Sequence, residues 1–281
     1  MKAIVSYDVF VSDGVRRAGR LPNGDPIVSL PVSSTLIFGE RNAVLVDVPF
    51  TREQIGRVAD WIERSGKHLT SIYITHGHGD HWFGCPLLLS RFAGVPVYAT
   101  EGTIEVMHQQ AGQGREQLWD RMFPGLIPES PVIAEPIPAE GLRLEGHLLR
   151  AIDVGHADTD HSSILCVPSI GLVVAGDAVY NGVHPCFAEG GGAGLHEWLR
   201  AIDRIEALAP RAVVAGHKNP VLPDDPASIG QTRRYLRDVI LLLGERPTAR
   251  EFFNEMIELY PERLNPGPVW CGALALLGDR P

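Results

Sequence analysis

The sequence predicts an α/β protein made of two β-rich halves packed face to face, with helices on the outside. Three observations predict it. An internal repeat relates Ser34–Ile37 and Ala43–Asp47 to Ser163–Cys166 and Leu172–Asp177, and each copy continues through a helical stretch to a strand ending in a histidine, His76 or His217. The strand before His76, Leu69 to Thr75, carries the run Ile72-Tyr73-Ile74, which suits a strand buried on both faces. Between hairpin and strand, Ile55, Val58, Ala59 and Ile62 keep helical spacing behind an N-cap at Thr51, with Glu53 and Gln54 in the first turn.

The chain of 281 residues suits one large domain or two small ones and can bury a substantial core. Met1 to Val11 alternates and reads as a first strand, with Asp8 where a secretory leader would need an unbroken apolar core. A cytoplasmic protein is therefore expected. No apolar run reaches the length of a membrane span. Ser12 to Pro31, rich in Gly, Pro and Arg, reads as a loop. The first hairpin turns at Arg41-Asn42, and its helix ends near Gly66. A helix over Cys85–Phe92 and a short strand over Pro96–Ala99 follow. Glu101 to Met122 is helical in composition, but Gly112 and Gly114 rule against one straight helix. Pro124 to Pro138 is irregular, strands cover Leu142–Leu144 and Leu148–Val154, and the second hairpin ends at Gly176-Asp177. A helix over Leu195–Leu208 leads to the strand Ala212–Ala215. Beyond Pro223 the chain reads as helices broken at Gly244, Pro247, Pro261 and Pro266, closed by a short segment over Val269–Leu277.

Chemistry concentrates in Thr75-His76-Gly77-His78-Gly79-Asp80-His81. Imidazole is the commonest metal ligand, and three imidazoles and a carboxylate within six residues are hard to explain as packing. The polar residues that terminate strands are His76, His78, Asp80, His81, His156, Asp177 and His217. Five imidazoles and two carboxylates suit two borderline-soft divalent ions, with zinc the leading candidate and iron or manganese the alternatives. Cys85, Cys166, Cys186 and Cys271 have no paired spacing, so neither a disulfide framework nor a zinc knuckle is indicated. A net charge of −9 argues against nucleic acid as the main partner and leaves a small-molecule substrate. The second repeat carries an insert, Tyr180 to Gly194, whose Gly190-Gly191-Gly192 suits either a mobile lid or a tolerated surface insertion. Asp158, Asp160 and His161 read first as turn-formers, with support of neighbouring metal ligands as the alternative. His184 and Trp82 are placed to line a pocket or to sit in the core.

The motif His76-x-His78-x-Asp80-His81, followed in order by His156, Asp177 and His217, resembles the metallo-β-lactamase superfamily of metallohydrolases over roughly Ser33 to His217. The resemblance implies a four-layer αβ/βα sandwich with two mixed sheets. It implies that residues 1–222 form the metal-binding domain, with 223–281 a helical extension packed on it. By the same resemblance His76, His78 and His156 would hold one metal, Asp80, His81 and His217 the other, and Asp177 would bridge them. Members that hydrolyse β-lactams typically carry Cys or Ser where this chain has Asp177, and a bridging Asp resembles lactonases and thioesterases of the glyoxalase II type. Di-iron oxygen reductases of this fold usually have Glu where His78 stands. Tyr180 lies three residues after Asp177, the spacing at which acyl-homoserine lactonases place a Tyr near the substrate carbonyl.

The resemblance therefore implies a binuclear hydrolase that opens a small lactone, ester or thioester with a metal-bound hydroxide. Asp80 would orient that hydroxide and Tyr180 would donate to the carbonyl oxygen. The rivals are a phosphodiesterase or nuclease, for which Lys218 is the obvious cation, a β-lactam hydrolase, and a non-catalytic sensor that retains its metal.

Overall fold

Each copy of the repeat folds as the same unit. In the computed structural model, which describes residues 4–278, β4 (Val32–Phe38) and β5 (Asn42–Val46) pair antiparallel. Helix α1 (Arg52–Arg64) then returns the chain to β6 (His68–Tyr73), which lies parallel to β5. Its start is fixed by a capping box between Thr51 and Gln54. The second copy runs through β11 (Ser162–Val167), β12 (Leu172–Asn181), α5 (Gly194–Glu206) and β13 (Ala212–Lys218), with the same antiparallel and parallel pairings. Strand β12 does not stop at Asp177 as expected. It continues to Asn181 through two breaks of register beside Gly176, and such bulges re-aim side chains.

Around these units two mixed sheets assemble. The first has the order β1-β4-β5-β6-β7-β8, where β1 is Ser6–Ser12, β7 Val97–Ala99 and β8 Glu135–Pro136. The second has the order β13-β12-β11-β10-β9, where β9 is Leu142–Leu144 and β10 His147–Gly155. Ile37, Val44, Val46 and Tyr73 of the first meet Leu149, Leu165, Val174 and Val214 of the second in one buried cluster. Helices cover the outer faces. The apolar stripe of α1, with Cys85 and Leu88 of α2 (Cys85–Arg91), packs on the first sheet. Trp198 and Ile202 of α5 cluster with β10, β12 and β13 on the second. The same cluster includes Leu236 of α6 (Ala227–Gly244), Phe252 of α7 (Ala249–Leu259) and Val269 of α8 (Gly267–Leu277). The result is the four-layer αβ/βα sandwich. No described helix is long and apolar enough to cross a membrane.

Three segments differ from expectation. Within the stretch read as a loop, β2 (Arg16–Arg20) and β3 (Pro26–Val28) form a two-stranded hairpin. Arg16-Arg17-Ala18-Gly19-Arg20 has no apolar alternation to announce a strand. The closing segment at Val269–Leu277 is the helix α8, apolar on most sides and so without a helical period to read. The first strand begins at Ser6, and the part of that expectation covering residues 1–3 lies outside the described residues. Between them, α3 (Glu101–Gln109), a π-helical stretch (Gln110–Trp119) and α4 (Asp120–Met122) are interrupted at Gly112, as its glycines suggest.

His184 is not a pocket residue. It is buried, and its Nδ1 lies 2.9 Å from the Tyr235 hydroxyl. Burial, with Arg263 nearby, pushes its pKa down to about 3. In the unfolded chain it titrates near 6.5, so between those values the unfolded chain binds a proton that the fold refuses. Stability should therefore fall as pH drops below about 6.5. Melting curves at pH 7 and pH 5 should show a smaller acid loss in His184→Gln than in wild type; an equal loss would exclude His184 as a source.

Candidate metal centre

The facing ends of the two repeats bring the polar residues together. His76 leaves the end of β6, and a single 3-10 turn, Gly79–His81, carries Asp80 and His81. His217 stands near the end of β13 beside Asp177 at the bulge of β12. A side chain at position 216 would collide with Asp177, since a Cβ there would overlap its Oδ1. Glycine at 216 is what lets the two strands approach.

Ligand-type atoms converge in overlapping groups: His76, His78 and Asp158; Asp80, His81 and His217; and Asp47 with His76 and His81. Asp158 Oδ2 lies 2.7 Å from His78 Nδ1 and 3.8 Å from His76 Nε2. His217 Nε2 lies 3.4 Å from His81 Nε2 and 3.6 Å from Asp80 Oδ2. Asp177 joins this second group, with Oδ1 3.3 Å from His81 Nε2 and Oδ2 2.9 Å from His217 Nε2.

The outward nitrogens of four of these imidazoles have partners. His217 Nδ1 donates to the Pro31 carbonyl at 2.7 Å, and His81 Nδ1 lies 3.0 Å from Asp47 Oδ2. His78 Nε2 lies 3.0 Å from Glu189 Oε1, and His76 Nδ1 lies 3.0 Å from Thr75 Oγ1. Each partner fixes its ring and leaves the other nitrogen facing inward, the arrangement that outer hydrogen bonds impose on metal-binding histidines. Asp47 is itself held by Thr75, through the backbone N–H at 2.9 Å and the hydroxyl at 2.8 Å. It is thereby placed to orient His81.

Burial and neighbouring charge act against each other at Asp177 and His81, whereas at His76 burial and the neighbouring imidazoles together push the pKa down. Asp177 is held well below the usual carboxylate range because His217, His81 and His76 outweigh its burial. His81 is pushed up to about 10 because Asp177, Asp47 and Asp80 outweigh its own burial. The inner atoms are nevertheless unsatisfied. Nε2 of His76, both oxygens of Asp158 and Oδ1 of Asp177 are buried without a directed hydrogen-bond partner among the described residues. Orphaned buried polar atoms are rare, and nitrogen and oxygen donors converging on common points fit borderline-soft divalent cations.

Six of the seven ligands expected from sequence therefore meet: His76, His78, Asp80, His81, Asp177 and His217. His156 stands apart from these groups. Its Nδ1 lies 2.7 Å from Asp160 Oδ1, and its Nε2, also without a hydrogen-bond partner among the described residues, is buried against Gly194 at the start of α5, away from the other imidazoles. The Tyr180 hydroxyl donates to Asp177 Oδ2 at 2.6 Å. Trp82 lies behind the cluster, fully buried, and donates from Nε1 to the Gly77 carbonyl at 2.8 Å. Lys218 is paired with Asp224. Of two further neighbours, Asp158 sits in a polar run that reads first as a turn, and Glu189, a lone acid before three glycines, had no sequence signal.

A cavity of about 220 Å³ opens from this cluster, with His78, Asp80, Asp158, Asp177 and His217 on its floor. Its walls are mostly apolar. Leu118, Trp119 and Met122 come from the segment around the π-helical turn, Phe50 from the start of the first helical connection, and Ile27 from the unexpected hairpin. Arg17 of that hairpin is half-buried over the Phe123 ring and makes no ion pair among the described residues.

Residues 28–217 match the family model described as the metallo-beta-lactamase superfamily. A curated relative, a hydroxyacylglutathione hydrolase of Chromohalobacter salexigens, is 23% identical over 235 residues, covering 79% of each chain. Among solved structures, a metallo-beta-lactamase from Pontibacter korlensis superposes with a TM-score of 0.60 at 18% identity, covering 83% of this chain and 99% of its own. The FIM-1 metallo-beta-lactamase from Pseudomonas aeruginosa, in its mono-zinc form, gives 0.57 at 18% identity, covering 85% and 94%.

Proposed function

The chain belongs to the metallo-beta-lactamase superfamily, and from that membership we propose that it is a binuclear metal-dependent hydrolase acting on a small lactone, ester or thioester. The observation that carries the reading is the convergence of orphaned ligand atoms on the floor of an apolar cavity. The protein ligands would come from His76, His78 and the loop over 156–158 for one ion, and from Asp80, His81 and His217 for the other, with Asp177 between them. Two ions there, zinc first among the candidates, would supply activated water at neutral pH and polarise a carbonyl.

The chain's own groups do the rest. Asp80 faces the cavity and is the least buried carboxylate of the second group, so it is placed to orient water and to carry a proton. Tyr180 acts through Asp177: its hydroxyl donates to Oδ2, which favours the ionised carboxylate. Asp47 and Glu189 set the rings of His81 and His78. Phe50, Trp119 and Met122 exclude water from an acyl body, and Arg17 offers a cation to an anionic substituent.

The acyl reading is supported by an Asp, rather than Cys or Ser, at position 177 and by the curated relative, which is named for hydrolysis of a hydroxyacylglutathione. Lys218 is buried and paired, so a phosphodiesterase would have only Arg17 of the cavity wall as its cation. The four cysteines are all free, which suits the reducing cytoplasm. The test is a panel of lactones, oxygen esters, thioesters, β-lactams and phosphodiesters, assayed before and after chelator treatment and zinc readdition. Hydrolysis of an acyl substrate that disappears with the metal and returns with zinc is expected. Metal-loaded protein active only on phosphodiesters, or on nothing, would contradict it.

A further inference from the structure

We infer that Asp158, and not His156, completes the protein ligands of the ion held by His76 and His78. The inference rests on the metallohydrolase reading and assigns one ligand position within it. His76 Nε2 and His78 Nδ1 both point at Asp158 Oδ2, at 3.8 and 2.7 Å. His76 and His78 each give their second nitrogen to another partner, Thr75 or Glu189, so the atoms facing Asp158 are the free ones. The Asp158 side chain is fully buried, and neither oxygen has a directed donor. A buried carboxylate in that condition is costly unless a cation faces it.

The loop explains how two residues exchange places. Gly155 has a φ of +85°, and the backbone N–H of Ala157 donates to the Thr159 carbonyl at 3.0 Å. Within this tight turn His156 is directed to Asp160 and the start of α5, while Asp158 is directed to the imidazoles. Glu189 then braces the turn from the glycine-rich insert. One of its oxygens accepts from Thr159 Oγ1 at 2.7 Å, and the other lies 3.0 Å from His78 Nε2. The acidic turn over 156–160 is therefore the means of presenting a carboxylate. Two imidazoles with a carboxylate carry one more negative charge than three imidazoles and offer one harder donor. This position should therefore accept manganese or iron more readily than an all-imidazole site would.

Metal-stripped wild type, Asp158→Asn, Asp158→His and His156→Gln are titrated with zinc and with manganese, and bound metal is counted by elemental analysis. Cobalt substitution adds a spectroscopic readout of the donors. In Asp158→Asn, the loss of one of two ions, or at least a roughly 100-fold weakening of one site, is expected. His156→Gln should hold two ions within a few-fold of wild type. Asp158→His should recover the second ion while losing preference for manganese, which separates ligand loss from misfolding. If His156→Gln weakens that site as much as Asp158→Asn, or if Asp158→Asn keeps both ions, the inference is overturned. A wild type that binds no ion fails differently, because it removes the parent reading as well.

Discussion

Asp177→Asn is expected to abolish turnover of whatever acyl substrate the panel identifies, while leaving the fold intact. Asp177 is the buried carboxylate that meets both imidazoles of the second group. Oδ1 looks toward His81, and Oδ2 meets His217 Nε2 and the Tyr180 hydroxyl. An amide would present one neutral acceptor and one donor to groups arranged around an anion. The loss should exceed the roughly 10–100-fold that removing an outer partner of a metal ligand costs. Steady-state rates of purified variant and wild type, matched for metal content and circular dichroism, measure it. A variant within tenfold of wild type would remove Asp177 from the centre of the mechanism.

Trp82→Ala should be the most damaging single change to the fold among residues near the site. The ring is fully buried, packs against Phe83 with centroids 4.6 Å apart, and anchors the carbonyl of Gly77 between His76 and His78. Truncating a buried aromatic costs about 3–5 kcal/mol, a large part of a typical domain's stability. Trp82→Phe keeps most of the volume but removes the donor, leaving the Gly77 carbonyl unpaired at about 1–3 kcal/mol. Denaturant unfolding should therefore rank wild type, Phe variant and Ala variant in that order. Equal losses for the two variants would mean that packing contributes nothing beyond the hydrogen bond.

The parts of this fold legible in the sequence were those with a period. The alternation of the paired hairpins, the unbroken β-branched run before Thr75 and the apolar stripe of α1 each follow from one buried face or two, and the repeat exposed their common order. The hairpin β2–β3 was illegible because it is held by its turn, where Leu21 N–H donates to Asp25 O at 2.9 Å, rather than by a buried face. Yet it delivers Arg17 and Ile27 to the cavity.

The site divides in the same way. Histidines clustered at one strand end announce themselves, because few other roles need that composition. Asp158 does not, because aspartate in a polar run is an ordinary turn-former, and only the tertiary path of the loop turns it inward. Tyr180 shows the opposite limit. Its spacing from Asp177 was readable, but whether its hydroxyl faces a substrate or a carboxylate depends on the bulges of β12.

Elemental analysis of the purified wild-type chain, after equilibration with zinc, tests the binuclear centre most directly. About two ions per chain, in keeping with two ligand groups sharing one carboxylate, is the predicted result. Binding of no metal above background, or of one tightly held iron with oxygen-dependent thiol chemistry, would contradict it.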